Sequence, residues 1–406
     1  MKQKNQSKKS ENKISIADIS AIFLLTVFAF SIRFFALDQP REYYFDEIYY
    51  APAAKAYTEM KKDPNWVHPP FAKIVMASCS VFSKDDFLKW RLGSIICGSL
   101  MIPLIYLLAL YLFKKSYAAI LASFLLSIDF LHLVQSRIST LDIFLAFFML
   151  ISAFFLWLAI EDKEINLKHF YISAIFAGFA SACKWSGIFM MFFVFAIIFI
   201  FHRKNFFKNI LIYTSIFITA YFSSYIFYFI EGGNLKELYD IFERTLKFQY
   251  KGGWTHNYMS PIWKWPILAR PIWYYYKVLD TGKCAGIIAL GNPLFWIPFL
   301  VFFINTAFRA ILKRNKVDVF LTIGYLFSFI FWIFSNRGGF FYYMTPVVAF
   351  MALITAQNLY NIKNKAFLYG YLAICFTVFC LYYPFMTAIP VNSAYMRSLF
   401  FLRFWI

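Results

Sequence analysis

The sequence predicts an all-helical integral membrane protein whose single polytopic domain, residues 1–406, carries two structured segments outside the bilayer. Two observations carry that reading. Hydrophobic residues make up 61% of the chain and charged residues 15%, against roughly 45–50% apolar and about 25% charged in a soluble domain. Apolar runs of about spanning length, near 20 residues, also recur along the whole chain.

Residues 1–13 are polar and rich in lysine (Lys2, Lys4, Lys8, Lys9, Lys13). The apolar stretch that follows, to about Leu37, is too long for a signal h-region and lacks an A-x-A cleavage pattern. It is expected to stay as an anchor with the N-terminus in the cytoplasm. Further runs begin near Leu92, Tyr117, Leu141, Phe170, Gly187, Ile210, Gly286, Val319, Phe340 and Phe367, which predicts eleven helices in all. The boundary at Cys183–Gly187 stays open, because one long helix with a break fits the same pattern.

Orientation follows from the connectors. Lys114-Lys115, Glu161–His169, His202–Lys208, Arg309–Lys316 and Asn361–Lys365 all carry Lys or Arg and are placed in the cytoplasm by the positive-inside rule. Two long segments, 38–91 and 231–285, then face outward. The second is dense in Trp, Tyr and Pro, a composition suited to helices lying in the headgroup plane. The net charge of +19 is ascribed to cytoplasmic loops and to contact with anionic lipid or phosphate, not to nucleic acid. The six cysteines show neither CxxC nor metal-ligand spacing and are read as small core residues.

Chemistry is sought first at Asp46-Glu47, an acidic pair beside the membrane, where carboxylates are costly. A partly desolvated carboxyl there has a raised pKa and suits a general base; a solvated acid capping a helix is the bland alternative. His68-Pro69-Pro70 is by itself a rigid turn. Arg91, Arg137, Lys184, Arg270, Lys283 and Arg337 sit at outer helix ends, and a convergent set of such cations suits a phosphate headgroup. Snorkelling to lipid phosphates is the alternative. Asp129 and Asp142 flank Gln135-Ser136-Arg137, and ion pairing that fixes this hairpin is favoured over catalysis. His132, three residues after Asp129, is read as packing. There is no Asp-x-Asp metal clamp, and the isolated glycine pairs read as turns.

Phe45-Asp46-Glu47, His68-Pro69-Pro70 with Ala72-Lys73, Arg91-Leu92, Asp129 with Gln135-Ser136-Arg137, Leu141-Asp142 and Lys184-Trp185-Ser186-Gly187 together resemble the lipid-phosphate-mannose protein O-mannosyltransferases. His256 with Ser260, Trp263, Trp265-Pro266, Arg270-Pro271-Ile272-Trp273 with Tyr274-Tyr275-Tyr276, Gly291-Asn292-Pro293, and Arg337 with Phe341-Tyr342-Tyr343 and Pro346 extend the resemblance over nearly the whole chain. It implies a GT-C type glycosyltransferase fold with the N-terminus inside and the C-terminus outside. Segment 231–285 leaves no room for the beta-trefoil domain of eukaryotic members, so a prokaryotic type is implied.

The activity implied is transfer of mannose from a polyprenyl- or dolichyl-phosphate-mannose to Ser/Thr hydroxyls of secreted or membrane proteins, with inversion and without metal or cofactor, at the outer face of the cell membrane. Asp46 is expected as base with Glu47 in support. Arg91 and Lys184, then Arg137 and Arg337, are expected at the donor phosphate. His68, Asp129, Asp142, His256, Arg270 and Tyr343 are expected to bind substrate or hold the site. Two rivals are a related transferase acting on a glycolipid and a secondary transporter. The transporter is disfavoured because the charges gather at helix ends and the two halves do not match.

Overall fold

The computed structural model describes residues 14–250, 256–279, 282–334, 338–400, 402 and 405. In chain order the first half runs α1 (Ile16–Phe34), α2 (Glu47–Thr58), α3 (Phe71–Cys79), α4 (Leu88–Phe113), α5 (Ser116–Ser127), α6 (Phe130–Gln135), α7 (Asp142–Ile160), α8 (Leu167–Cys183), α9 (Phe189–Phe201) and α10 (Phe206–Ser223). The second half runs α11 (Ile226–Ile230), α12 (Leu235–Tyr250), β1 (Ile272–Val278), β2 (Lys283–Ala289), α13 (Pro293–Lys313), α14 (Lys316–Phe329), α15 (Val348–Leu359), α16 (Lys365–Tyr382), α17 (Pro384–Thr387), β3 (Val391–Asn392) and α18 (Ser393–Leu399).

Among the described residues seven helices are long and apolar enough to cross a membrane, with α3, α5, α8 and α9 in shorter apolar helices. The protein is therefore a multi-pass membrane protein. Helices α4 and α7 are mostly buried inside the bundle, whereas α1, α10, α13 and α16 leave most of their apolar surface outward. Water would not tolerate that outer surface, and lipid does.

Local signals set the helix ends. Asn166, Asn292, Asn315 and Asn364 each stand just before a bundle helix and accept a hydrogen bond from its first turn, satisfying donors that have no partner within the helix. Helices α4 and α13 end on Lys114 and Arg314, both in the left-handed region (φ 55° and 49°).

The open boundary at Cys183–Gly187 resolves into two helices. Lys184 is extended (φ −157°, ψ 138°) and ends α8, and a 3-10 turn, Trp185–Ile188, leads into α9. The turn folds back so tightly that a Cβ on Gly187 would lie 2.3 Å from the backbone nitrogen of Ser181. Only glycine fits there.

The second outer segment differs from the expectation of interfacial helices. It contains one amphipathic helix, α12, but the Trp/Tyr run forms a strand. β1 and β2 pair antiparallel from Ile272↔Ala289 to Val278↔Cys284, and β3 extends the sheet by pairing with β2. The residues from Gly286, expected to start a spanning helix, belong to β2, and the helix begins at Pro293. The reason is side-chain type: Ile272, Trp273 and Tyr274 are strand formers that pack well on a pleated surface. Gly282 supplies the positive φ (68°) between the strands.

Candidate active site

Asp46 faces a cavity of about 780 Å³ walled by the first outer segment, the α8–α9 turn, α12 and the residues that follow α14, among them Phe331, Trp332, Phe334 and Tyr343. The preceding residue sets its direction. Phe45 is held at φ 50°, a left-handed conformation that a bulky residue adopts only when its surroundings fix it. Its ring stacks on Tyr274 at 4.0 Å and meets Tyr342 edge-on at 5.5 Å. That aromatic clamp bends the chain so that Asp46 turns inward at the start of α2, where its side chain makes no capping bond.

Glu47 points the other way. It is 1% exposed, and so is Arg91. Arg91 Nε and Nη2 donate to Glu47 Oε1 and Oε2 at 2.9 and 2.8 Å, and the Ser139 backbone N–H donates to Oε1 at 3.0 Å. The remaining Arg91 donors reach the carbonyls of Leu37, Pro40 and Glu42. All five guanidinium N–H groups are thus spent on binding the first outer segment to α4. Neither residue lines the cavity; Arg91, expected at the donor phosphate, braces the segment that carries Asp46.

Removing one partner of a buried pair strands the other charge, so Arg91→Ala or Glu47→Ala is expected to cost about 3–5 kcal/mol of stability. Thermal unfolding in detergent checks this. A loss of donor affinity with the unfolding temperature unchanged would contradict it.

Arg137 is also set apart from the cavity. Its Nη1 donates to the carbonyls of Arg33 and Phe35 and its Nη2 to that of Ala36, closing the end of α1. Arg337 lies outside the described residues.

Lys184 does line the cavity. Its Nζ donates to Asp142 Oδ1 at 2.8 Å and sits 4.5 and 5.4 Å above the rings of Tyr343 and Tyr342. Burial presses its pKa down, but Asp142, Tyr343 and Asp46 outweigh that and raise it, so the ammonium is kept charged. Burial pushes the Asp46 carboxyl up to about 6; the Lys184 charge pulls it down and the Asp142 charge pushes it up. The site therefore combines a carboxyl poised just below neutrality with a permanent cation. The other expected residues divide. His68, His256 and Tyr343 line the cavity, and Asp142 reaches it through Lys184.

Asp129 and Arg270 serve the fold instead. Asp129 caps α6 through the His132 N–H and accepts from Trp296 Nε1 at 2.6 Å. Arg270 Nε and Nη2 hold the Asn257 carbonyl. His132, read as packing, is buried with Nδ1 2.7 Å from Arg33.

Sequence reasoning did not single out Phe331, Trp332 and Phe334, which form one wall of the cavity. Trp332 stacks on Tyr343 at 4.2 Å. They sit inside an apolar run and carry no signal distinguishing them from lipid-facing residues. Leu246, Phe248 and Gln249 of α12 also line the cavity; the polar and apolar faces of that helix were the available sign.

The family model for dolichyl-phosphate-mannose-protein mannosyltransferase matches residues 75–232. A polyprenol-phosphate-mannose–protein mannosyltransferase of Mycolicibacterium smegmatis is 22% identical over 94% of this chain and 92% of its own length. Among solved structures, the Saccharomyces cerevisiae protein O-mannosyltransferase Pmt1-Pmt2 complex bound to the sugar donor superposes with a TM-score of 0.82 at 13% identity, covering 97% of this chain and 93% of that one. ArnT from Cupriavidus metallidurans bound to undecaprenyl phosphate gives 0.64 at 16% identity, covering 88% and 63%. The fold is that of the GT-C glycosyltransferases.

Proposed function

We propose, from its similarity to the dolichyl-phosphate-mannose-protein mannosyltransferase family model and to the mycobacterial mannosyltransferase, that this chain transfers mannose from a polyprenyl- or dolichyl-phosphate donor to Ser/Thr hydroxyls of a protein acceptor. The observation that carries the reading is the shared cavity of Asp46 and Lys184. Asp46, ionised at neutral pH, takes the hydroxyl proton as the acceptor oxygen bonds to the anomeric carbon. On the opposite face the bond from that carbon to the phosphate oxygen breaks, so the product configuration is inverted. The lipid monophosphate leaves with an added negative charge, and the Lys184 ammonium stabilises it as it forms.

Phe331, Trp332 and Phe334 come from the apolar segment Lys316–Phe334 and suit the first isoprene units of the donor. His68, His256 and Tyr343 are assigned to substrate contact. Arg337, outside the described residues, is kept as a candidate phosphate ligand on the sequence resemblance alone. The same reading puts the protein in the cell membrane as one domain, with its N-terminus and basic connectors in the cytoplasm and segments 38–91 and 231–285, with the site, outside.

The test is incubation of membranes containing the protein with radiolabelled polyprenyl-phosphate-mannose and a Ser/Thr peptide. Inverted O-mannosyl peptide is expected. Label passing only to a glycolipid, or retained configuration, would contradict the reading.

A further inference from the structure

The hairpin between α6 and α7, residues 136–141, contributes no wall to the reaction cavity, yet it is tied to both groups that work there. Its Ser139 N–H donates to Glu47, the neighbour of Asp46, and Asp142, which follows the hairpin, pairs with Lys184. The hairpin itself is fixed. Arg137 holds the carbonyls that end α1, and Ser94 Oγ of α4 donates to the Ile138 carbonyl at 2.7 Å.

A third connection leaves from Gln135, the fully buried last residue of α6. Its Oε1 accepts from Thr140 Oγ1 at 2.8 Å, and its Nε2 donates to the Tyr274 hydroxyl at 2.7 Å. The Tyr274 ring lies flat on Phe45, with 11° between the planes, and meets Tyr342 edge-on at 6.1 Å.

Phe45 is where such a hold is needed. The Glu47 N–H closes a tight turn on the Tyr44 carbonyl at 3.2 Å, and Phe45, inside that turn, is in the left-handed region, which is costly for a bulky residue. Relaxation of Phe45 to a negative φ would swing Asp46 away from the cavity. Stacking fixes the spacing of two rings but leaves them free to slide past one another in offset arrangements. The bond from Gln135 pins the far end of the tyrosine and removes that freedom.

We propose that Gln135 is a positioning residue: through the Tyr274 hydroxyl and the Phe45 ring it keeps Asp46 turned into the cavity. The proposal rests on the transferase reading above. Gln135 and Tyr274 do not line the cavity, so neither meets substrate, and Lys184 keeps its own tether in Asp142. Their effect reaches the reaction through Asp46.

The experiment compares the full-length protein with Gln135→Leu, which loses the amide at similar volume, with Tyr274→Phe, which keeps the stacked ring and loses the hydroxyl, and with the double variant. Measured for each are kcat, donor KM and the pH dependence of kcat/KM, with polyprenyl-phosphate-mannose and a Ser/Thr peptide. Each single variant is expected to lower kcat by about tenfold to a hundredfold, the scale of a small misplacement of a reacting group, with donor KM unchanged. The double variant should be no slower than the slower single one, because both substitutions remove the same bond.

The inflection near pH 6 should move down, since a carboxyl that swings out of the wall is less desolvated. Lys184, Asp142, Tyr274 and Tyr342 face Asp46, and His68 and His256 line the same cavity. Of these groups Tyr274 alone is altered, and a phenol is uncharged at that pH. In an Asp46→Asn background neither substitution should slow the residual reaction further.

The role is overturned if both single variants keep near-normal kcat, if their effects multiply in the double variant, if donor KM rises as much as kcat falls, or if either still slows the Asp46→Asn enzyme. Tyr274→Phe leaves every ring contact in place and carries the same test should Gln135→Leu fail to fold. Absence of transfer to any peptide by the unaltered enzyme would remove the transferase reading itself, and the positioning role with it.

Discussion

Asp46→Asn is expected to lower kcat by about a hundredfold to ten-thousandfold, the range a positioned general base contributes, while donor KM stays near that of the unaltered enzyme. The asparagine keeps the shape of the side chain but cannot accept the hydroxyl proton. Stability should not suffer. The Asp46 side chain makes no capping bond to α2. Folding raises its pKa to about 6, so at neutral pH the folded protein carries the cost of a desolvated carboxylate that the amide removes. A variant that folds, binds donor and turns over at a near-normal rate would take the role of base away from Asp46.

Lys184→Ala is expected to be the next most damaging change. Loss of a preorganised group facing developing charge costs about a hundredfold to a thousandfold in kcat, and donor KM is expected to rise because the ammonium also attracts the ground-state phosphate. The substitution also leaves Asp142 buried without its 2.8 Å partner, which is a stability effect of its own. The double variant Lys184→Ala/Asp142→Asn separates the two. Its unfolding temperature should recover, because no charge is stranded, but its activity should not. Recovery of activity along with stability would mean that Lys184 only props up α7.

Much of this arrangement is legible in the sequence. Asp46, His68 and Lys184 stood out because polar groups in a largely apolar chain are expensive and because their order matched a family pattern. The cations were less readable. A sequence shows that Arg91 and Arg137 lie at helix ends but not which way their guanidinium groups point, and both turn to backbone carbonyls left open where α1 ends and the first outer segment begins. Glu47 shows the same limit: adjacent residues at a helix start point in different directions, so one carboxylate enters the cavity and its neighbour enters the protein.

The strand Ile272–Val278 was hidden by its own composition. Trp and Tyr suit an interfacial helix as well as a pleated strand, and its pairing partner begins only at Lys283. The helical bundle was easier because apolar length alone marks it.

The central claim is that one carboxyl in the Asp46 cavity must be ionised for the acceptor to react. The most direct measurement is the pH dependence of kcat/KM for the unaltered enzyme beside the residual activity of Asp46→Asn. With the Asp46 pKa raised to about 6, kcat/KM should fall with unit slope below that pH, and the inflection should vanish in the variant. A flat profile through that region, or the same inflection persisting without the carboxylate, would contradict the account.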